Sequence, residues 1–264
     1  MHTYENAPQY AADKPGGHAR AFSSAAAHTA AEQQLAERNR LLRVLPPEEY
    51  AWLLPQLTTV PLKTKDVLAG ANEPFRHVYF IESGVVSVVN HVEGGMVEVG
   101  TVGNEGMAGL SVFLDSGAIP SETFVQVAGE AKRASAQLFA DGAGDRTALR
   151  RILHRYTQAF LTQVAQTASC NRAHLVEERC ARWLLMTHDR VGGADTFALT
   201  HEFLAAMLGV RRAGVTVAAG VLQKAGLIRY SRGKITVIDR KGLEAASCEC
   251  YAIVRTHFDR LLGT

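Results

Sequence analysis

The spacing of apolar residues changes twice along the chain, and each change marks a different kind of structure. From residue 58 to residue 127, apolar and polar residues alternate in short runs, such as residues 85–89 and 124–127. A period of two is typical of strands with one buried face. Turn-forming residues at 82–84 and 93–95 separate these runs. The pattern therefore predicts a small barrel or sandwich of short strands.

From about residue 147 to residue 170 the apolar period becomes that of a helix. Large apolar residues then recur at intervals of three or four: Leu149, Leu153, Tyr156, Phe160 and Val164. Such a helix must pack its apolar stripe on the sheet, on a second copy of the chain, or on both. A further amphipathic helix is predicted over residues 175–187.

The N-terminal part has a different character. Residues 1–38 are rich in Ala, His, Ser and Gln and have no apolar period, so we predict a mostly disordered extension with a frayed helix at its end. Asn39 is a good N-cap for a short helix. Pro46 and Pro47, followed by two glutamates, predict the start of a second helix.

Residues 199–228 read as two short helices joined by a tight turn. Thr200 is a suitable N-cap, and Leu204 and Leu208 lie four residues apart on one face. Gly209 can adopt the left-handed conformation that ends the first helix. The second helix begins beside Arg211. This is the pattern of a helix-turn-helix, whose second helix enters the DNA major groove.

A basic hairpin is predicted to follow. Residues 228–230 and 235–238 read as strands joined by the turn Ser231-Arg232-Gly233-Lys234, which would form a wing able to touch phosphate. From residue 200 to residue 241 there are eight basic and two acidic residues. A local excess of this size indicates a polyanionic partner.

Composition and charge restrict the compartment, membrane association and number of tasks that the chain is expected to have. The chain has 264 residues, a formal net charge of +2 and four cysteines with no disulfide-type spacing, which favours a reducing cytoplasm. No apolar run approaches the roughly 20 residues that span a bilayer, so no membrane association is expected. Residues 58–137 carry five basic and nine acidic residues, opposite in sign to the C-terminal region. Two regions of opposite charge indicate two separate tasks.

Two groups of residues offer alternative chemistry. Cys248 and Cys250 with His257 fall short of a closed zinc set, which Cys170, Cys180 or another chain would have to complete. We therefore predict no metal site.

The second group supports an alternative function, a cupin-like metal-dependent enzyme with an accessory DNA-binding tail. It consists of His77, Glu82 and His91, with Tyr79 where a second clustered histidine would stand. Because this ligand set is incomplete and no nucleophile–base motif is present, we expect no enzyme.

The order of these elements, together with the stretches LTHEFLAAMLGVRR…VLQKAGLI and VYFIESGVVSVV, resembles the Crp/Fnr (cyclic-AMP receptor protein/fumarate-nitrate regulator) family. The resemblance covers about residues 39–241. It implies a homodimer joined along the long helix, a two-fold symmetric DNA operator and, for an activator, contact with RNA polymerase. It also implies that the stripe from Leu149 to Val164 is the dimerisation face.

The same resemblance assigns residues at the DNA. Base edges are expected to be read by Arg212, Ala213 and Thr216, and an arginine at position 212 can grip guanine with two hydrogen bonds. Phosphate contacts are expected from Thr200, His201, Arg211, Arg232 and Lys234. Ala213 and Val217 differ from residues common in the family, so the operator sequence is not transferable.

The family resemblance indicates the effector less clearly than it indicates the DNA contacts. The glycine-rich turn over residues 103–109 exposes backbone amides that could cradle an anion. The effector pocket is expected around Glu105, Gly106, Gly109 and Thr123. Members that bind cyclic nucleotide use a glutamate where this chain has Gly109, and an arginine that this segment lacks, so cyclic AMP is not expected. No cysteine precedes Cys170, so the N-terminal iron–sulfur cluster of other members is not expected either, and the cofactor stays unknown.

These inferences combine into one prediction of an α+β protein. It comprises a disordered extension (1–38), a jelly-roll, cyclic-nucleotide-binding-like sensor barrel (39–145), dimerisation and linker helices (146–190) and a winged helix-turn-helix domain (191–264). The expected function is that of a dimeric, sequence-specific, cytoplasmic transcription regulator.

Overall fold

A computed structural model describes residues 30, 32–192 and 194–263. Most of the predicted extension lies outside these residues. The helix predicted at its end is present: residues 32–36 are helical, and Gln34 and Glu37 are buried. The Gln34 side chain donates hydrogen bonds to the carbonyls of Leu42 and Leu45, which ties this segment to the domain that follows.

Two short helices precede the sheet, as predicted. They are α1 (Arg40–Arg43) and α2 (Pro47–Leu53), and the 3-10 turn Leu54–Gln56 follows α2. The side chain of Asn39 accepts hydrogen bonds from the first amides of α1, and Pro47 occupies the first position of α2. Both helix starts therefore have the caps that the sequence indicates.

The N-terminal domain is built on one antiparallel sheet. Its strands are β1 (Thr58–Leu62), β2 (Val67–Ala69), β3 (His77–Val92), β4 (Gly95–Val102), β5 (Met107–Ala108) and β6 (Glu122–Ser135). The strand order is β1-β6-β3-β4, with β2 paired to β6 and β5 paired to β3. The short helix α3 (Leu110–Phe113) follows β5. Closure of the sheet into a barrel stays a prediction.

One predicted turn is wrong. The chain does not reverse at residues 82–84, because β3 continues through them for 16 residues. Its pairing with β6 shifts register around Ser83, and Gly84 has a φ of +86°. A β-bulge therefore absorbs the glycine, and a side chain there would meet the carbonyl oxygen of Val127. The other predicted turn, at residues 93–95, does join β3 to β4.

Helices α4 (Ala136–Ala143), α5 (Thr147–Ala173) and α6 (Val176–Arg190) follow the sheet. The first part of the apolar stripe of α5 is covered by its own chain, whereas Phe160 and Val164 are half-buried, so the role of α5 as the dimerisation helix stays a prediction. Leu149, Leu153 and Tyr156 are at most 1% exposed, and the Tyr156 hydroxyl donates to the carbonyl of Met107 at 3.0 Å. Periodicity revealed the buried face correctly, but not what covers it.

The remaining elements form the C-terminal region. They are β7 (Thr196–Ala198), α7 (His201–Leu208), α8 (Arg212–Lys224), β8 (Ile228–Ser231), β9 (Lys234–Val237), α9 (Arg240–Ala246) and α10 (Cys250–Leu262). Strands β7, β9 and β8 make a small antiparallel sheet in that order. Helix α10 packs back on α5, where the ring of Phe258 lies 6.4 Å from that of Tyr156.

The two regions share one apolar core. Leu184 and Leu185 of α6 are buried with α7 and α8, although the sequence assigned α6 to the linker segment. Phe124 of the large sheet contacts Phe203 of α7 edge-on, with ring centroids 6.1 Å apart. The C-terminal region is therefore docked on the sheet, while the predicted domain limits stay predictions.

Across the described ranges, no single helix is both long and apolar enough to cross a membrane. Only α7 and α8 taken together pass that test of length and composition, and they are bent by 106°.

Candidate DNA interface

The turn between α7 and α8 is built as the sequence predicts. The Thr200 hydroxyl accepts from the amide of Phe203 at 3.1 Å, which caps α7. Gly209 ends the helix in the left-handed conformation, with a φ of 62°. Ala205 is buried where the helices cross. These features fix the direction of α8 relative to α7.

Helix α8 has one buried face and one open face. Val215, Ala218, Ala219 and Leu222 lie in the core. The three predicted base-reading residues, Arg212, Ala213 and Thr216, are all exposed at the N-terminal end of the helix. The structure therefore places them together on a surface that a DNA groove could reach.

The Arg212 guanidinium is held only loosely. Its nearest carboxylate, that of Glu202, lies 3.8 Å away, and the two side chains are 69% and 82% exposed. Exposed pairs of this kind contribute little to stability. Arg212 can therefore exchange Glu202 for a base edge at little cost.

The His201 side chain is held by contacts within the protein and is not free in solvent. Its ring stacks on Tyr230 of the wing at 4.1 Å, and Nδ1 lies 3.1 Å from the Thr216 hydroxyl. Burial and the charge of Arg212 lower the pKa of His201 below its ordinary value of 6.5. This shift favours the neutral form of the ring, and its predicted phosphate contact stays a prediction.

The wing is a tight hairpin. Ser231 pairs with Lys234, and Arg232 and Gly233 between them have φ values of 50° and 74°. Two successive positive φ values are typical of the type I′ turn that suits antiparallel strands. The Leu199 amide donates to the carbonyl of Gly233 at 2.8 Å, which holds the wing beside the start of α7.

The predicted phosphate-contacting residues share one region. Thr200, Arg211, Arg232 and Lys234 are all exposed, at the start of α7, at the start of α8 and on the wing. Arginine and lysine side chains are charged at neutral pH. The net excess of positive charge in this region is thus presented to solvent.

The predicted effector residues do not form one pocket. Gly109 and Thr123 line a small apolar cavity of about 60 Å³ beside Tyr156. Glu105 lines a different, more polar cavity of about 270 Å³ between α6 and α10. Gly106 lies against the ring of Tyr156, which leaves no room for a side chain there.

Glu105 has a role that the sequence did not reveal. Its carboxylate accepts from Arg190 Nε at 2.9 Å and from the Gly103 amide at 3.1 Å. Arg190 also donates to Gln163 Oε1 of α5 at 3.2 Å, and Gln163 Nε2 donates to the Thr101 carbonyl at 2.9 Å. This buried network joins the glycine-rich turn, α5 and the end of α6. Its members are far apart in sequence, so no local pattern identifies them.

The residues behind the enzyme alternative are not brought together. His77 and His91 lie 14 residues apart on one strand, which at about 3.3 Å per residue separates them by roughly 45 Å along β3. His91 pairs with Glu122 at 3.1 Å, and Glu82 accepts from the amide of Arg38 at 2.8 Å. The structure therefore gives this alternative no support.

Comparison with known proteins agrees with the geometry. Residues 178–246 match the profile of the Crp-like helix-turn-helix domain. No curated protein matches the chain significantly.

Many solved structures share the fold. FixK2 from Bradyrhizobium japonicum is 18% identical with a TM-score of 0.62, and the match covers 73% of this chain and 98% of FixK2. A protein described as a transcriptional regulator of the Crp/Fnr family from Eubacterium rectale is 20% identical with a TM-score of 0.60, covering 78% and 96%. A CRP-family transcriptional regulator from Thermus thermophilus is 21% identical with a TM-score of 0.59, covering 71% and 96%.

The chain is thus a protein with a helix-turn-helix DNA-binding domain attached to an antiparallel sheet domain of the cyclic-nucleotide-binding-like fold. More particularly, it has the fold of the Crp/Fnr-type transcriptional regulators.

Proposed function

We propose that this chain is a sequence-specific transcription regulator that binds a two-fold symmetric DNA operator as a homodimer. The observation that carries the proposal is the exposed N-terminal end of α8, with Arg211 and Arg212 beside the basic wing. In helix-turn-helix proteins this end of the second helix contacts base edges. The wing residues Arg232 and Lys234 would add sequence-independent affinity for phosphate.

The dimer would use the open face of α5. Leu149, Leu153 and Tyr156 are covered by the same chain, but Leu161 on α5 is 56% exposed. Ala165 and Ala168 are exposed further along the same side of the helix. Small and apolar residues at this spacing allow two copies of α5 to approach closely.

A signal at the sheet domain would act through the network of Glu105, Arg190 and Gln163, which reaches α6. Such a signal works only if it stabilises one orientation of the DNA-binding domains more than another. The apolar cavity of about 60 Å³ is small against the 300–1,000 Å³ of typical ligand sites, which supports the view that cyclic AMP is not the effector.

The protein would act as a regulator and not as an enzyme, as the transcription regulators that share its fold suggest. Contact with RNA polymerase and a cytoplasmic location stay predictions.

Mapping of the DNA fragments bound in cells tests the proposal, with the wild type compared to the Arg212→Ala variant. We expect the wild type to occupy fragments that share a two-fold symmetric motif and the variant to lose this preference. A monomer in light scattering that shows no sequence preference would contradict the proposal.

A further inference from the structure

Four potential metal ligands meet where the long helix α5 ends. Cys170 lies in the last turn of α5, and His174 directly follows that helix. Cys250 begins α10, and Cys248 lies two residues before it. Their ligand atoms all fall within 4.8 Å of one another. We refer to these four residues as the Cys/His cluster.

The cluster is a distinct part of the interior. Its three cysteines are at most 5% exposed and pack on one another, apart from the larger apolar cores. The His174 side chain is 17% exposed, which leaves a path from solvent. Cys170 and His174 are four residues apart at the end of α5, where the His174 amide donates to the Cys170 carbonyl at 3.1 Å.

The separations fit a tetrahedral ion. Cys170 Sγ lies 3.5 Å from Cys248 Sγ, and Cys250 Sγ lies 3.5 Å from His174 Nδ1. A zinc ion with ordinary bond lengths would hold two sulfurs about 3.8 Å apart and a sulfur and a nitrogen about 3.6 Å apart. Three thiolates and one imidazole are also a standard ligand set for a structural zinc ion.

We propose that the Cys/His cluster binds one zinc ion as a closed, structural site. The described residues around it supply the second layer of contacts that such sites need. His174 Nε2 lies 3.2 Å from Glu249 Oε1, so a carboxylate orients the imidazole with Nδ1 toward the sulfurs. The Gln166 amide donates to Cys250 Sγ at 3.1 Å.

The charge of the site is also balanced. Three thiolates and one divalent zinc ion leave a net charge of −1. Arg179 and Arg182 of α6 interact electrostatically with Cys170, and the Nε atom of each is buried without a hydrogen-bond partner among the described residues. In the described part of the chain, their other guanidinium nitrogens donate only to neutral oxygens, those of Asn171 and Leu208 for Arg179 and of Thr167 for Arg182. A buried cation is costly without a nearby negative charge, and an anionic metal cluster would offset that cost.

The position of the proposed zinc site indicates which part of the structure it would stabilise. It would join the end of α5, just before the chain turns into α6, to the start of α10. Since α6 packs in the core of the DNA-binding domain, zinc would fix the junction between that domain and the long helix. This role is independent of which DNA sequence the protein reads, so the proposed function can fail without affecting it.

The test uses untagged full-length protein, purified with reductant and analysed for metal by mass spectrometry. We expect about one zinc ion per chain, and a lower melting temperature after removal by a chelator. Zinc should shield Cys170, Cys248 and Cys250 from thiol reagents until the chelator is added. Cobalt in place of zinc should give the absorption of a tetrahedral thiolate site.

Single substitutions distinguish loss of zinc binding at the Cys/His cluster from a general loss of folding. Cys248→Ser and His174→Ala should abolish stoichiometric zinc, whereas Cys180→Ala should retain it, because Cys180 is buried in another core. Glu249→Gln leaves all four ligands in place and should weaken zinc binding about 10- to 100-fold. Because Glu249 is 67% exposed, this variant is expected to fold normally.

Several results would overturn the proposal. These are less than about 0.1 zinc ions per chain after incubation with equimolar zinc, full zinc content in Cys248→Ser, a Cys170–Cys248 disulfide in protein purified without reductant, or iron and sulfide in place of zinc.

Discussion

The guanidinium of Arg190 lies 2.8 Å from the carboxylate of Glu105, and both side chains are 7% exposed. The first residue ends α6, whose other face packs in the DNA-binding domain, and the second belongs to the glycine-rich turn of the sheet domain. The pair therefore joins the two regions, as do the contact of Phe124 with Phe203 and the hydrogen bond from Trp183 to Glu98.

Removing one partner of this pair should destabilise the protein strongly. In Arg190→Met the Glu105 carboxylate stays buried without its cation, which typically costs about 3–5 kcal/mol. Urea unfolding measures this loss. The exposed pair of Arg255 and Glu244, at 3.7 Å, provides the control, since Arg255→Met should cost less than about 1 kcal/mol. Equal losses in the two variants would show that the buried pair has no special role.

Glu98 should make stability depend on pH. Its carboxylate is buried, accepts from Trp183 Nε1 at 2.8 Å and lies 2.7 Å from the Ser87 hydroxyl. Burial raises the pKa of Glu98 from 4.5 to about 7, against the smaller opposite effect of these hydrogen bonds. Because the folded state holds this proton more tightly than the unfolded state, the free energy of unfolding should fall as pH rises between these two values.

The Glu98→Gln variant isolates that effect. The amide cannot ionise but keeps an acceptor for Trp183, so the variant should lose this part of the pH dependence. The difference between wild type and variant should change by up to about 3 kcal/mol from pH 4.5 to pH 7 and then level off. Parallel stability curves for the two proteins over this range would refute the assignment.

Arg212 should determine base preference. Replacing it with alanine removes a side chain able to make two hydrogen bonds to guanine, so the cost should be about 1–3 kcal/mol at one operator position. Binding to a set of singly substituted operators measures this. Lys224→Ala, at the other end of α8, is the matched control and should keep the preference. Undiminished discrimination at every position would remove Arg212 from the base-reading role.

Lys234 should act on affinity alone. Lys234 lies on the wing, where it is expected to contact phosphate. Its replacement by alanine should weaken binding to all DNA sequences alike. It should also reduce the slope of log affinity against log salt concentration by about one. Lys63→Ala in the sheet domain changes the same charge far from the wing and should leave the slope unchanged. A loss confined to one sequence would mean that Lys234 reads bases.

Local chemistry explains which parts of the fold were predictable. Asn39, Thr200 and Gly209 act on their own neighbours, and the structure confirms each of them. The glycine at position 84 was misread as a turn, because a bulge inside a strand and a reversal between strands use the same residue type.

Contacts between distant residues were not predictable. The period of α5 identified its buried face, but not whether a second chain or the same chain covers it. Glu105 and Arg190 are 85 residues apart, and Cys170 and Cys248 are 78 apart. Such pairs meet only through the tertiary fold, which explains why His257 was grouped with the cysteines in place of His174.

Selection of bound duplexes from a random DNA library, with purified protein at moderate salt, shows whether this chain reads DNA sequence as a symmetric dimer. We expect enrichment of a two-fold symmetric motif whose half-sites lie about one helical turn apart, and loss of one conserved position with Arg212→Ala. A library that stays random after repeated rounds, or an enriched motif that Arg212→Ala leaves unchanged, would contradict this expectation.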